Sequence, residues 1–165
     1  MLGVHIRWMI RRDMYEILEI EKRCFGKHAW NEEVFIQHLR TRNMIGMVAE
    51  WDEDIIGYMV YALHKSSLEL LNLAVEPKYQ RSGIGSAMID KLKGKLNPDR
   101  RSQIMAMVSE FNLTGQLFFR SQGFLCTCIE KNYYDDTDFD AYRMEFNKTA
   151  AMLEEAQQAE WRMRG

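Results

Sequence analysis

Only three cysteines occur in this chain, and no two of them stand at a zinc-ligand spacing. Cys24, Cys126 and Cys128, odd in number, make no disulfide framework and read as reduced thiols in a cytoplasmic protein. His5, His28, His38 and His64 share no ligand spacing, so no metal is expected. Charge of one sign is also lacking: the formal net charge of −2 argues against a broad basic face for nucleic acid. No apolar run approaches the length of a membrane span, and charge interrupts the N-terminus where a secretion signal would carry its apolar core. Internal repeats, low-complexity tracts and a linker between domains are absent as well.

What is present suits one globular domain with a proper core, at 47% hydrophobic and 28% charged over 165 residues. The chain is organised around Leu70-Leu-Asn-Leu-Ala-Val-Glu-Pro77, which runs into Lys78-Tyr-Gln-Arg-Ser-Gly-Ile-Gly85. Five of the first six residues are apolar, which predicts a strand buried on both faces. Pro77 ends it, because proline has no amide hydrogen to continue a ladder. Gln80-Arg-Ser-Gly-Ile-Gly85 then leads into the helical pattern Ser86-Ala-Met-Ile-Asp-Lys-Leu-Lys. Strand, glycine turn and helix N-terminus in that order make an anion site, with unpaired amides, close backbone approach and a favourable helix dipole. The spacing excludes G-x-x-x-x-G-K-[ST], and Gly83 and Gly85 lack the third glycine of G-x-G-x-x-G.

Around this stretch, periodicity and turn residues predict the other elements. Val4 to Ile10 reads as a strand. Met14, Ile17, Leu18 and Ile20 follow Asp13 at helical spacing, and Gly26 closes that helix. Asn31 caps a second helix with Glu32 and Glu33 in its first turn. Met47–Trp51 and Ile55–Leu63 form a hairpin about Asp52-Glu-Asp54. The central strand covers 68–75, a helix 84–96, and a buried strand Ile104–Val108. Asn112 opens a helix that ends near Gln122-Gly123, followed by strands Phe124–Ile129 and Phe139–Phe146. Lys148 to Arg164 is a charged helix with Met152, Leu153, Ala156 and Trp161 as its apolar residues. The order β-α-α-β-β-β-α-β-α-β-β predicts an α/β fold, a mixed sheet of about seven strands flanked by four helices. Residues 1–147 make the domain and 148–165 a C-terminal helical extension.

Q-x-x-G-x-G after a V-x-P strand end resembles the pyrophosphate loop of the GNAT superfamily of acyl-CoA-dependent N-acetyltransferases. Ile56-Gly-Tyr-Met59, Asn112, Phe118-Phe119 with Gly123-Phe124, Asn132-Tyr133-Tyr134 and Asp140-Ala-Tyr-Arg-Met144 narrow the likeness. Together, over roughly residues 4–146, they are similar to the RimI-like ribosomal-protein alanine acetyltransferases and their eukaryotic and archaeal relatives. The resemblance implies a GNAT fold whose sheet splays at the acyl-CoA site, acetyl-CoA as cofactor and no metal. It implies acetyl transfer to the α-amino group of a protein N-terminus by direct attack in a ternary complex. A ribosomal protein is among the acceptors it suggests. No nucleic acid or membrane partner is expected, and the protein would be a monomer or a weak homodimer.

The residues divide into two sets. Amides of Arg81, Ser82, Gly83, Ile84, Gly85 and Ser86, with Gln80 at the head of the loop, would seat the pyrophosphate, and the Arg81 charge would help. Backbone groups of Leu73, Ala74 and Val75 would pair with the pantetheine amides as a strand edge does. The resemblance adds Asn112 and Phe119 to the cofactor side. On the acceptor side it implies Phe25 and Trp30 as one wall and Tyr133 and Tyr134 as the opposite grip, with Asn72 also facing the acceptor.

The proton-transfer positions depart from the RimI-like pattern. Where that family has a glutamate base stands Met107, and where it has a tyrosine acid stands Phe119; neither side chain transfers protons. Glu110 lies three residues beyond Met107. Glu69, six residues before Val75 and on its face by strand parity, is the stronger candidate base. An ammonium has no lone pair and must lose a proton before it can attack a thioester. Tyr134 or Tyr133 could serve as the acid, pack against substrate without transferring protons, or yield that role to water, since a thiolate of pKa about 8.5 leaves readily. Asp135, Asp136, Thr137 and Asp138 form an acidic turn that attracts a cationic N-terminus or is simply solvated. Two other functions fit: acetylation of a small amine or a lysine, and a catalytically weak acyl-CoA-binding subunit.

Overall fold

The structure, a computed structural model, describes residues 3–135 and 137–164. Among the described residues, seven strands and five α-helices make a mixed α/β fold in the expected order. The chain divides into two compact units, one comprising residues up to Leu63 with Glu69–Leu92, the other His64–Leu68 with the chain from Lys93 onward. Among the described residues no helix is long and apolar enough to cross a membrane.

The first unit contains β1 (His5–Trp8), α1 (Met14–Phe25), α2 (Glu32–Arg40), β2 (Met44–Trp51) and β3 (Asp54–Leu63), with most of β4 (Ser67–Val75) and of α3 (Ile84–Lys93). β2 is antiparallel to β1 and to β3, with Trp8 opposite Met47 and Val48 opposite Tyr58; β4 lies on the far side of β3. The hairpin turns at Asp52 and Glu53, both left-handed at φ 51° and 68°, the geometry that matches the twist of a two-residue connection. Ile17 and Ile20 of α1, Phe35 of α2, Val48, Tyr58 and Val60 of the hairpin and Ala74 of β4 form the core. Gly26 ends α1 at φ 55°, and its N–H bonds the Lys22 carbonyl. The Asn31 side chain caps α2 by accepting the Val34 N–H at 3.0 Å.

β4 alternates strictly. Leu68, Leu70, Asn72 and Ala74 are buried, whereas Glu69, Leu71, Leu73 and Val75 on the other face are half-buried. The expected burial of both faces thus holds for one. α3 stops at Lys93, short of the expected 96, where Gly94 interrupts the apolar pattern.

The second unit contains β5 (Gln103–Ser109), α4 (Leu113–Ser121), β6 (Leu125–Glu130), β7 (Ala141–Asn147) and α5 (Lys148–Arg164). β7 lies between β5 and β6 and is antiparallel to both, with Met107 directly opposite Arg143. β7 starts later than expected because Phe139 is used to close the preceding loop, its carbonyl accepting the Tyr133 N–H at 3.0 Å. α5 is exposed from Met152 to Met163.

Candidate active site

The anion loop belongs wholly to the first unit. After β4, Pro77–Tyr79 makes one turn of 3-10 helix, and the Ser82 hydroxyl bonds the Tyr79 carbonyl. Arg81 then takes a left-handed conformation at φ 63° and Gly83 another at φ 88°. Alternating backbone hands aim successive N–H groups to one side, which is how a loop becomes an anion nest. A left-handed arginine is strained, and such strain concentrates at ligand sites. The Gly83 carbonyl accepts the Ala87 N–H at 2.9 Å, so α3 follows without a break and its unpaired first amides continue the nest. From Pro77 to Ser86 the chain carries Lys78 and Arg81 and no carboxylate. This chemistry fits a diphosphate. An open groove of the same unit, about 440 Å³, suits a diphosphate less well, because Glu16, Glu19, Asp54 and Glu76 outnumber Arg23 and Lys78 in its lining.

Close packing sets the loop against the strand. A Cβ on Gly57 of β3 would meet the Ala74 carbonyl at 3.0 Å and the Met88 sulfur of α3 at 3.5 Å. The Gln80 side-chain amide donates to the Val75 carbonyl at 3.0 Å, tying the head of the loop to the end of β4. Cys24 of α1 approaches the same carbonyl, with its sulfur 3.3 Å away. Burial, then Glu76 and Glu21, pushes the Cys24 thiol up, so it is a poor nucleophile near neutrality.

In the same unit, residues expected to face the acceptor meet a carboxylate that sequence reasoning missed. Glu21 is 1% exposed. Its Oε1 accepts the Trp30 N–H at 2.7 Å, Asn72 Nδ2 reaches both oxygens at 3.3 and 3.2 Å, and the Tyr58 hydroxyl donates to Oε2. Burial pushes the Glu21 carboxyl up, while the bonds from Trp30 and Asn72 oppose that shift. The Trp30 ring packs edge-on against Phe35 at 5.2 Å and tilts over His38 at 4.4 Å. Phe25 packs on the core as the last residue of α1. The one trace of Glu21 in the sequence is its place four residues after Ile17 on the apolar stripe of α1, which by itself does not mark it as buried. Glu69 lies on the half-buried face of β4 with Leu71, Leu73 and Val75.

The remaining expected residues belong to the second unit. The Asn112 side chain caps α4 by accepting the Gly115 N–H at 2.9 Å. Phe119 is buried among Phe118 and Phe124, with ring centroids 5.4 and 5.1 Å away. Met107 faces across the ladder to Arg143, whose Nε is buried without a partner among the described residues. Glu110 is committed elsewhere, accepting the Asp140 N–H at 2.9 Å. Tyr133 and Tyr134 meet edge to face at 5.0 Å. Burial, then the neighbouring Tyr133, raises the Tyr134 phenol above its ordinary 10.0, which keeps its proton in place. In the acidic turn, the Thr137 N–H bonds the Tyr134 carbonyl at 3.1 Å, and Asp136 lies outside the described residues. No group of three or more His, Cys, Asp or Glu that could hold a metal ion occurs among the described residues.

Comparison with known proteins gives the same reading. The acetyltransferase (GNAT) family model matches residues 11–124. The chain is 27% identical over 126 residues to the ribosomal protein bS18-alanine N-acetyltransferase of Escherichia coli K12, covering 76% of this chain and 84% of that protein. The crystal structure of the Escherichia coli ribosomal-protein-S18-alanine N-acetyltransferase superposes with a TM-score of 0.76 at 23% identity, over 87% of this chain and 93% of that one. Arabidopsis thaliana NAA60 in complex with acetyl-CoA superposes with a TM-score of 0.73 at 16% identity, over 88% and 99%. A strand, a left-handed glycine loop and a helix N-terminus in sequence, carried by a chain that matches this model over most of its length, lead to one conclusion: the protein belongs to the acetyltransferase (GNAT) family and is an acetyl-CoA-dependent N-acetyltransferase.

Proposed function

We propose that the protein transfers acetyl from acetyl-CoA to the α-amino group of a protein N-terminus by direct attack within a ternary complex. The observation that carries this reading is the Tyr133–Tyr134 pair, set edge to face in a loop tied down at Tyr133 by Phe139. Two rigid phenols suit a peptide backbone better than a small amine. The curated relatives in Escherichia coli and Haemophilus ducreyi are named for acetylating an alanine of a ribosomal protein, which makes a peptide beginning with alanine the first acceptor to try.

Loop amides from Arg81 to Ser86 and the Arg81 guanidinium hold the diphosphate, and β4 at Leu73–Val75 aligns the pantetheine arm. Glu69 takes a proton from the acceptor ammonium, directly or through water, which frees the nitrogen lone pair. The nitrogen attacks the thioester carbonyl carbon, the Leu73 N–H stabilises the oxyanion, and the C–S bond breaks as the carbonyl re-forms while the nitrogen gives its second proton to water, leaving a neutral amide. Water protonates the departing thiolate, with Tyr134 as the side chain able to substitute for it. The raised Cys24 thiol favours this route over an acyl-enzyme.

A second reading has its own observation. Met107 and the buried Phe119 leave the usual proton-transfer positions inert, as an acyl-CoA-binding subunit of low activity would have them. Thiol release from acetyl-CoA separates the readings. We expect release with peptides beginning in alanine, serine or methionine, and product carrying acetyl at its α-nitrogen. Release only with small amines or blocked lysine peptides overturns the acceptor assignment. Binding without release favours the subunit.

A further inference from the structure

The last turn of α1 buries a charge that packing does not require. Glu21 shares the inward stripe with Ile17 and Ile20, where an apolar side chain would fill the space. A buried carboxylate is costly unless its oxygens are satisfied. Here four hydrogen bonds satisfy them, and all come from neutral donors: the Trp30 N–H, the Tyr58 hydroxyl and two from the Asn72 amide. The donors lie on the loop after α1, on β3 and on β4. Two of the three donor residues, Trp30 and Asn72, are those assigned to the acceptor.

Neighbouring contacts run in the same direction. Arg23 Nη2 pairs with Glu76 at 2.9 Å, and the Cys24 sulfur lies 3.3 Å from the Val75 carbonyl. Positions 21, 23 and 24 of α1 therefore grip 72, 76 and 75 in and just after β4. The loop Gly26–Trp30 is anchored at one end by this turn and at the other by the bond from the Trp30 N–H back to Glu21. With its Nδ2 occupied by the carboxylate, Asn72 has its amide orientation determined, and its Oδ1 faces the Tyr58 hydroxyl at 3.5 Å.

We propose that Glu21 is a positioning residue for the acceptor, a buried clamp that locks the loop bearing Phe25 and Trp30 to Asn72 of β4. The acceptor wall and the strand that presents the thioester then keep one spacing, which near-attack geometry demands. This inference rests on the N-terminal acetylation reading for what the acceptor is. At 1% exposure Glu21 does not itself touch substrate.

Glu21→Gln tests it. The amide must turn its NH2 toward one of the donors, so at least one charge-assisted bond is replaced by a donor facing a donor. In the folded variant the KM for an alanine-initial peptide should rise about tenfold or more, the scale of losing such a bond. The dissociation constant for acetyl-CoA should stay unchanged, and hydrogen exchange at the Trp30 amide should quicken. Tyr58→Phe removes one donor and should raise KM in the same direction by less. An unchanged peptide KM in folded Glu21→Gln overturns the proposal, as does an equal loss of acetyl-CoA binding, which would mean general loosening. Should Glu21→Gln not fold, Tyr58→Phe decides by the same two readouts. If the wild type releases no thiol with any α-amino peptide, the acceptor reading fails by itself. Exchange at the Trp30 amide then decides the clamp, and equal exchange in wild type and variant overturns it.

Discussion

The loop proposed to hold the cofactor and the positions usual for proton transfer are built from different materials. The loop from Gln80 to Ser86 works through backbone: two left-handed residues, a serine that closes a turn, and the opening amides of α3. The proton-transfer positions work through side chains, and there Met107 and Phe119 carry nothing that ionises. A backbone site constrains residue type only where the chain must bend or approach closely, so it tolerates wide change elsewhere. A side-chain site is lost with one substitution, and its role must then move. Glu69 is where we place it.

The comparison can be broken in graded ways. Gly83→Val has the largest expected effect, because a β-branched residue at φ 88° would flip the nest. Acetyl-CoA affinity, read by calorimetry, should fall about 10²-fold, the cost of a few kcal/mol of backbone strain. Glu69→Gln should lower the acetylation rate by a similar factor, about 10², with acetyl-CoA affinity intact; undiminished turnover would mean the base lies elsewhere.

Restoring a carboxylate sharpens the contrast. Met107→Glu alone should not raise the rate, because Arg143 directly opposite would pair with the new carboxylate and weaken it as a base. Combined with Arg143→Ile, the same glutamate should act at least about tenfold faster than in the single variant. Tyr134→Phe should have a smaller effect, a rise in peptide KM of about threefold from one lost hydrogen bond with little change in kcat; a collapse in kcat would make it the acid.

Asp13→Asn touches neither region and has the smallest effect on activity. Burial opposes the Asp13 charge, but bonds from Arg7 and the Ile10 N–H overcome it and hold the carboxyl below its ordinary 3.8. Its folded-state value is depressed, so its contribution is complete above the ordinary value and is lost as pH falls through the lower one. Acid denaturation should therefore show a wild-type advantage of about 1 kcal/mol above pH ~4 that shrinks below it. Acetyl transfer at neutral pH should be nearly unaffected.

Much of the fold was legible from local chemistry. Gly26, Asn31, Asp52-Glu53, Pro77 and Asn112 each stand at an element boundary for reasons their side chains dictate. The loop was legible for the same reason, since only certain residues permit its backbone. Glu21 was not, because one polar residue on an apolar stripe looks like an edge of that stripe until β3 and β4 bring it Tyr58 and Asn72. The alternation of β4 was hidden too, because leucine occupies both of its faces and periodicity cannot tell a buried leucine from a half-open one.

Gly57 shows how far a binding loop extends beyond its own residues. It lies on β3, more than twenty positions before the glycine turn, yet its missing methyl is what lets the Ala74 carbonyl of β4 approach so closely. An alanine at 57 would leave every loop residue intact and still press the Ala74 carbonyl of β4 aside by a few tenths of an ångström. A mutational survey confined to the motif would score such a chain as competent while the strand behind the proposed cofactor site had shifted.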